Sequence, residues 1–449
     1  MHGSQAKQGA LSDATPRDYA RGIDLLRIGR TPLHFFVVSV IFFAVGVAAL
    51  PLVVPSIVQF FYQPLPLALT HTFTLGWITA AVIGVMYRYV PALTRHAVPY
   101  PRLALLQVML YAIGVSGIVA HFTIGLWPGV WLAAIVIIAS ILIFAMNMFP
   151  CLWPHVGDGV AATGMFISLC FLILAASLGF TLAFDKNYDF LGGDVLTNLA
   201  SHVHFAAVGW VTLTICAVSY RMLPAFLLPR VTLPPRAIWQ IYALAIAVLG
   251  LGFTLLFGLA GATFWALAIV ASLAFYVLII AKLVRSRRMP IDWTTRHALA
   301  GVGWLAVAAI LGVTLSVVGG QSDLGNRLAG AYGFAGLLGF VSNFIIGMSY
   351  KLFPGFVARA RSGMRWPAVT NAELSDSRPQ PFVFASFNGG LALEAAGLLA
   401  GWLPIAEAGG IAIACGGLAY AATTLWTLSF AYRSAVPEAA RTALRILPE

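Results

Sequence analysis

Four histidines in an apolar chain are the residues best suited to chemistry. His71, His202 and His204 lie near one end of their hydrophobic segments, and His121 reaches a similar depth from the other direction. A neutral imidazole is the common ligand of iron and copper, and ionisable groups inside a membrane tend to be functional. The alternative is a buried imidazole that only hydrogen-bonds a carbonyl of a neighbouring helix.

The spacing of the histidine pair limits what it can bind. Residues i and i+2 of a helix point about 200° apart, so His202 and His204 face opposite sides of their segment. A compact ion with three histidine ligands is therefore disfavoured. A planar macrocycle held by one histidine from each of two helices suits His71 with one member of the pair.

The elements that position these residues are membrane-spanning helices. The chain has 449 residues, of which 60% are hydrophobic and 9% are charged. Apolar runs long enough to cross a bilayer recur throughout, and only helices satisfy the backbone within such runs. We predict an all-α polytopic membrane protein with about twelve spans, near residues 33–58, 66–90, 103–126, 130–152, 160–183, 198–224, 236–258, 262–284, 298–320, 328–354, 383–403 and 408–432.

The distribution of charge predicts the topology. Of 26 Lys and Arg residues, only Lys186 and Arg327 fall on one side of this map. The positive-inside rule then places both termini in the cytoplasm, in a cell inner membrane. The excess charge indicates contact with anionic lipid rather than nucleic acid. We expect a tail at 1–31, a membrane domain at 32–432 and a second tail at 433–449.

An internal repeat organises the membrane domain. The stretch HTFTLGWITAAVIGVMYRYVPAL from His71 aligns with HFAAVGWVTLTICAVSYRMLPAF from His204, at an offset of 133 residues, and a fainter copy starts at Phe334. The copies fall on spans two, six and ten. We therefore predict three four-helix arcs, roughly 32–152, 160–285 and 297–432, related by a pseudo-threefold axis along the membrane normal.

Twelve helices in three arcs, with an H-x-H motif at the outer end of one of them, resemble subunit I of the heme–copper oxidase superfamily. Within that superfamily, the chain resembles the C-family oxidases, the nitric-oxide reductases and the divergent NnrS-like proteins. In that family a histidine on the second helix, matched by His71, and an H-x-H motif, matched by His202 and His204 on span six, hold hemes. The resemblance implies one or two b-type hemes, and we take His71 and His204 as the first choice of ligand pair. His202 and His121 would be ligands of a second cofactor or would support the ligands. Arg327 is either a contact of a heme propionate or an ordinary interfacial arginine.

The copper ligands of that family have no counterpart here. Span seven, RAIWQIYALAIAVLGLGFTLLFG, contains no histidine, and neither does span ten. Any copper would need other ligands. None of the four cysteines forms a C-x-x-C pair, so neither a zinc site nor a disulfide framework is indicated. No C-x-x-C-H motif occurs either, so the electron donor would be a quinol, a cytochrome or a further membrane subunit.

Two further polar residues lie in the third repeat, and the interpretation of the first is open. Glu394, in the middle of span eleven, is either a proton relay or ligand partner, or a protonated carboxyl bonded to a neighbouring helix. His297, at the start of span nine, is interpreted as interfacial.

Three functions fit this pattern. The first is a heme protein of membrane electron transfer or of nitric oxide or oxygen chemistry, and it could be an oxidoreductase. The second is a cofactor-free transporter or membrane-assembly protein on the same scaffold. The third is a nitric-oxide-responsive metal protein without turnover.

Overall fold

The part of the chain that the structure describes contains twelve helices that are long and apolar enough to span a membrane. The computed structural model describes residues 29–362, 366 and 369–435. No β-strand occurs in these residues. The all-α polytopic fold predicted from the sequence is confirmed, and such a protein contacts the lipid bilayer. Except for residues 29–31 and 433–435, the predicted tails lie outside the described residues.

The helices are numbered α1 to α12 along the chain. They run over Thr31–Gln59, Pro64–Thr94, Pro101–Thr123, Trp127–His155, Val160–Tyr188, Val195–Leu227, Ala237–Leu256, Ala262–Arg285, Trp293–Val318, Asp323–Ser362, Gln380–Ala400 and Leu403–Ser429. Most connections are short, so consecutive helices alternate in direction. The helix ends that carry Arg95, Arg102, Arg230 and Arg285 are called the basic face, and the other ends the opposite face.

Three helices form the centre of the bundle. In α2, α6 and α10, between 61% and 72% of the most apolar window is buried inside the protein, whereas the other nine helices range from 22% to 50%. A helix buried on most sides is an inner helix, and one with an exposed stripe faces lipid. The inner helices are those that carry the sequence repeat.

Each inner helix contains a π-helical segment at the same place in its repeat. The segments are Thr72–Thr79, Phe205–Thr212 and Phe334–Ser342. In the last two, the hydroxyl of the final residue donates to the carbonyl five residues earlier, from Thr212 to Ala207 and from Ser342 to Leu337. Such segments are uncommon and frequently occur at functional sites.

Hydrogen bonds join the π segments in cyclic order. The indole Nε1 of Trp210 donates to Thr79 Oγ1 at 3.2 Å, and that of Trp77 donates to Ser342 Oγ at 3.1 Å. Phe340, the equivalent residue of the third repeat, has no such donor. These bonds run from the second repeat to the first and from the first to the third, as expected for a pseudo-threefold arrangement of the inner helices.

Each sequence repeat corresponds to one bundle of four helices: α1–α4, α5–α8 and α9–α12. Aromatic pairs recur within the three bundles with nearly the same geometry. A tyrosine of the inner helix meets an aromatic ring of the fourth helix edge-on in every copy. The ring centroids are 5.4 Å apart for Tyr87 and Phe144, 5.5 Å for Tyr220 and Tyr276, and 6.0 Å for Tyr350 and Tyr420, with interplanar angles of 66° to 70°.

A glycine of each inner helix lets the first helix of its bundle approach. A Cβ added at Gly76, Gly209 or Gly339 would come within 2.4–2.7 Å of an aromatic side chain of α1, α5 or α9. The side chains approached are Phe42, Phe171 and Trp304. Small residues at helix interfaces permit this close packing in membranes.

We expect Gly209→Ala to destabilise the protein, although alanine favours helix more than glycine does. The added methyl group would overlap the Phe171 ring, and overpacking costs about 1–3 kcal/mol. Thermal unfolding in detergent measures the effect. Gly336→Ala is the matched control because nothing lies within 4 Å of a Cβ there. Equal melting temperatures for the two variants would contradict the close packing.

Candidate functional site

His71 lies in α2 immediately before the π segment. Its Nδ1 is 2.8 Å from the carbonyl oxygen of Leu67, one turn earlier. The ring stacks on Phe122 of α3, with centroids 4.9 Å apart and 29° between the planes. These two contacts fix the orientation of the imidazole at the junction of α2 and α3.

The histidines of the H-x-H motif diverge towards different helices. Nδ1 of His202 is 3.0 Å from the carbonyl of Ala175 on α5. Nδ1 of His204 is 2.7 Å from the carbonyl of Ala200 on its own helix, and its Nε2 is 3.3 Å from the hydroxyl of Tyr332 on α10. The two imidazoles therefore cannot ligate the same ion.

The carbonyl partners fix the tautomer of these imidazoles. A carbonyl oxygen only accepts hydrogen bonds, so Nδ1 of His71, His202 and His204 must carry the hydrogen. Nε2 then presents a lone pair. A ring whose Nδ1–H is held by a backbone carbonyl, with Nε2 free to bind, is the usual arrangement of a metal-binding histidine.

The cyclic order of the repeats predicts a neighbour for His71. His202 and Tyr332 are equivalent positions, as are His71, His204 and Phe334. Because His204 meets Tyr332 of the next repeat, His71 is expected to meet His202 in the same way. The repeat geometry therefore suggests His202 as a second candidate partner of His71, beside His204.

Open space lies beside these histidines. Thr70 and Val203, next to His71 and His204 in sequence, are exposed although their helices are the most buried of the bundle. A Cβ added at the equivalent Gly333 would meet nothing within 4 Å. The opposite-face end of the inner helices therefore has room between side chains, whereas the π segments close the centre.

The donor set fits a two-ligand cofactor better than a compact ion. Within residues 29–362, 366 and 369–435, no group of three or more His, Cys, Asp or Glu side chains could hold a metal. Two imidazoles with free Nε2 atoms, one from each of two helices, would be enough to hold a heme iron, since the porphyrin supplies the other ligands. The residues present therefore fit a heme.

His121 packs against other residues than His71 and His202 do. Its Nδ1 is 2.7 Å from the carbonyl of Gly117, and its ring lies against Gly129 at the start of α4. No described contact joins it to His71, although its neighbour Phe122 stacks on that ring. The structure therefore places His121 beside the candidate site, between α3 and α4.

Arg327 lies at the end of another helix. Its guanidinium is 3.4 Å from the carbonyl of Ala400, the last residue of α11, and packs over Gly401. A cation at a helix C-terminus stabilises the exposed carbonyls. Lys186, the second cation on this face, lies over the rings of Tyr62 and Trp127.

Glu394 is enclosed where α1, α11 and α12 meet. The side chain is fully buried, and neither carboxyl oxygen has a hydrogen-bond partner among the described residues. Its Oε2 faces Gly410 of α12, which also lies against Pro51 and Val54 of α1. The backbone of Gly410 is the nearest polar group that α12 offers this carboxyl, so both alternatives considered from the sequence, a proton relay or ligand partner and a protonated carboxyl bonded to a neighbouring helix, stay open.

His297 is the residue that sequence reasoning misjudged. It was interpreted as interfacial, but its side chain is fully buried. Nδ1 is 2.8 Å from Oδ1 of Asn343, which exchanges hydrogen bonds with Asn388 of α11. Trp304 Nε1 also donates to Asn388 Oδ1. Trp304, which packs on Gly339, follows His297 by seven residues and therefore lies on the same face of α9. This spacing in the sequence could have indicated that His297 is buried.

Comparison of the chain with protein-family models gives no match, and comparison with curated proteins gives none either. Function is therefore inferred from the residues and their geometry.

We expect dicyclohexylcarbodiimide, an apolar reagent for protonated carboxyl groups, to label Glu394 in the folded protein. An unpaired carboxylate is costly in such surroundings, and the neutral acid is the reactive form. Mass spectrometry locates the adduct. Glu394→Gln should abolish it, whereas Glu407→Gln, a change on the neighbouring helix, should leave it intact. An unlabelled Glu394 would show that the carboxyl is charged or unreachable.

Stability should fall in acid because of Asp292, which precedes α9. Partial burial alone would raise the pKa of Asp292, but bonds to Lys351 at 2.7 Å and to Thr295 hold it below its ordinary value of 3.8. A carboxyl with a lowered folded-state pKa stabilises the protein above its unfolded pKa, and this contribution is lost as the pH falls through the folded value.

Melting temperatures should therefore drop below about pH 4, and they should drop less in Asp292→Asn than in the wild type. Asp323→Asn, at the start of α10, is the control and should keep the acid sensitivity of the wild type. An identical acid response in all three proteins would rule out this role for Asp292.

Proposed function

We propose that the chain is a heme-binding membrane protein of electron transfer or of nitric oxide or oxygen chemistry. The observation that supports this proposal is that His71 on α2 and His202 on α6 each have Nδ1–H held by a carbonyl and Nε2 free, at positions that the repeat geometry is expected to bring together. Kinship with subunit I of the heme–copper oxidases, an inner-membrane location and cytoplasmic termini belong to the same proposal.

His71 and His202 are the residues that would hold the group. A bound heme supplies an iron that carries an electron or binds a small gas. The chain's own part is orientation: Leu67 and Ala175 fix the two rings through Nδ1, and Phe122 stacks on His71. On α5, Gly179 leaves room for the His202 ring, which a Cβ there would approach to 2.7 Å.

His204 has a different part in this proposal. Its Nε2 accepts a hydrogen bond from the Tyr332 hydroxyl, so its lone pair is already engaged. It would hold a second heme only if Tyr332 released it. Glu394, a buried acid whose carboxyl has no side-chain partner among the described residues, is proposed as a proton relay for the same chemistry. The electron donor would be a quinol, a cytochrome or another membrane subunit.

Purified protein should show a Soret band, and a pyridine hemochrome assay should identify b-type heme. His71→Ala and His202→Ala should each reduce the heme content at least about tenfold, because a lost ligand removes a major part of the binding free energy. His121→Ala is the matched control, as it removes an imidazole on α3 that faces Gly129 instead.

The variants also decide which histidines form the pair. Heme retained in His204→Ala supports His71 with His202, and heme lost in His204→Ala but retained in His202→Ala supports the predicted pair of His71 with His204. A colourless, folded protein without iron would overturn the proposal and favour a cofactor-free transporter or assembly protein. Heme that binds nitric oxide without turnover would identify a sensor.

A further inference from the structure

The third bundle differs from the other two at its inner-helix tyrosine. The hydroxyl of Tyr87 donates to Gln107 Oε1, and that of Tyr220 donates to Gln240 Oε1 at 3.0 Å. Both partners lie on the helix that follows. The hydroxyl of Tyr350, the third copy, is buried and has no hydrogen-bond partner among the described residues. One tyrosine of the three is therefore left with an unused donor.

A histidine lies beside this tyrosine, at a position where the other repeats have apolar residues. The position lies seven residues before the aromatic side chain that packs on Gly76, Gly209 or Gly339. It is Phe35 in the first repeat, Gly164 in the second and His297 in the third. The ring centroids of His297 and Tyr350 are 5.8 Å apart, with 62° between the planes.

The protonation of His297 follows from its neighbours. Asn343 donates through Nδ2 to the carbonyl of Gly339 at 2.7 Å, which turns its Oδ1 towards the imidazole. Oδ1 only accepts, so Nδ1 of His297 carries the hydrogen. Nε2 is then a lone pair, and this buried atom has no partner in the described part of the chain.

An unpaired base and an unpaired hydroxyl thus lie close together in the protein interior. Each buried polar atom without a partner costs about 1–3 kcal/mol, so a ligand that satisfies both is strongly favoured. A water molecule can accept from the Tyr350 hydroxyl and donate to His297 Nε2 at the same time. Buried waters characteristically occupy such polar gaps.

The space between His297 and Tyr350 is close to the basic face. Lys351 follows Tyr350 directly, and Asp292 begins the turn that leads to His297; their ion pair is partly exposed, with 33% and 41% of the side-chain areas accessible.

The other groups around His297 are mostly uncharged. Arg296, its neighbour on α9, lies over the Trp293 ring. From α11, Phe384 packs at 5.1 Å, and Asn388 belongs to the amide network. The packed elements carry further charges at a distance from His297: Lys282 and Arg285 in the last turn of α8, Arg359 and Arg361 in the last turn of α10, Asp323 and Arg327 at the other end of α10, and Glu394 on α11.

We propose that His297 and Tyr350 enclose a water molecule and form a proton-binding site of the third bundle, supplied from the basic face beside Asp292 and Lys351. One proton passes from that water to the Nε2 lone pair, and the water regains a proton from the aqueous side. No other bond changes. Asn343 Oδ1 already accepts from Nδ1 and stabilises the imidazolium. The site needs no cofactor and is independent of the proposed heme.

Solid-state NMR of the full-length protein, labelled with ¹⁵N-histidine and held in lipid bilayers, tests the proposal. The His297 signals are assigned by their absence in His297→Asn. We expect a cross-peak between Nε2 and water, and conversion of Nε2 from the bare to the protonated form as the pH is lowered from neutral into the acidic range.

Matched tyrosine variants locate the water. Tyr350→Phe removes the hydroxyl without changing the ring, and we expect it to weaken the water cross-peak and to shift the titration of His297. Tyr220→Phe, in the second bundle, should leave both unchanged. If His297→Asn does not fold, the signal that responds to Tyr350→Phe alone provides the assignment.

Three results would overturn the proposal. In the first, Nε2 shows no contact with water. In the second, a water cross-peak is present but Nε2 remains bare until the protein unfolds, which would reduce the site to a structural water. An unchanged His297 signal in Tyr350→Phe would likewise remove the tyrosine from the site.

Discussion

Polar groups inside a membrane must find partners within the protein, and the three inner helices depend on this constraint. Their π segments meet at the centre, where Trp210 bonds Thr79 and Trp77 bonds Ser342. Each indole joins one repeat to the next, so the bonds that satisfy the donors also set the cyclic order of the bundles. Glycines bring the surrounding helices against this centre, and aromatic pairs of nearly constant geometry fill the space behind it.

Against this symmetric scaffold, the residues that can do chemistry are those that break the symmetry. Phe334 takes the place of His71 and His204 in the third repeat, so imidazoles line only part of the opposite-face end. At the other end the third repeat has His297 where the first has Phe35, and it lacks the glutamine that would satisfy Tyr350. Sites arise where one copy departs from the packing that the others share.

Much of this architecture could be predicted from the sequence, because hydropathy and repetition report the environment of whole segments. The twelve helices and the aligned residues of the repeat were found in this way. Helix ends were less certain: α10 was predicted at 328–354 but runs from Asp323 to Ser362, since polar turns remain helical beyond the apolar core. The burial of His297 and the neighbour of His71 depend on how helices face each other, which a single sequence does not specify.

The two polar regions lie at opposite ends, yet α10 connects them. The hydrogen-bonded chain from His297 passes through Asn343 to Asn388 and ends at Trp304, beside the glycine where the third bundle packs on its inner helix. Asn343 directly follows Ser342, the residue that accepts from Trp77 and closes the π segment. A change of register in that segment would therefore move the partner of Trp77 and the partner of His297 together. Coupling between distant sites requires an element that both of them bias, and this junction is the one that the contacts provide.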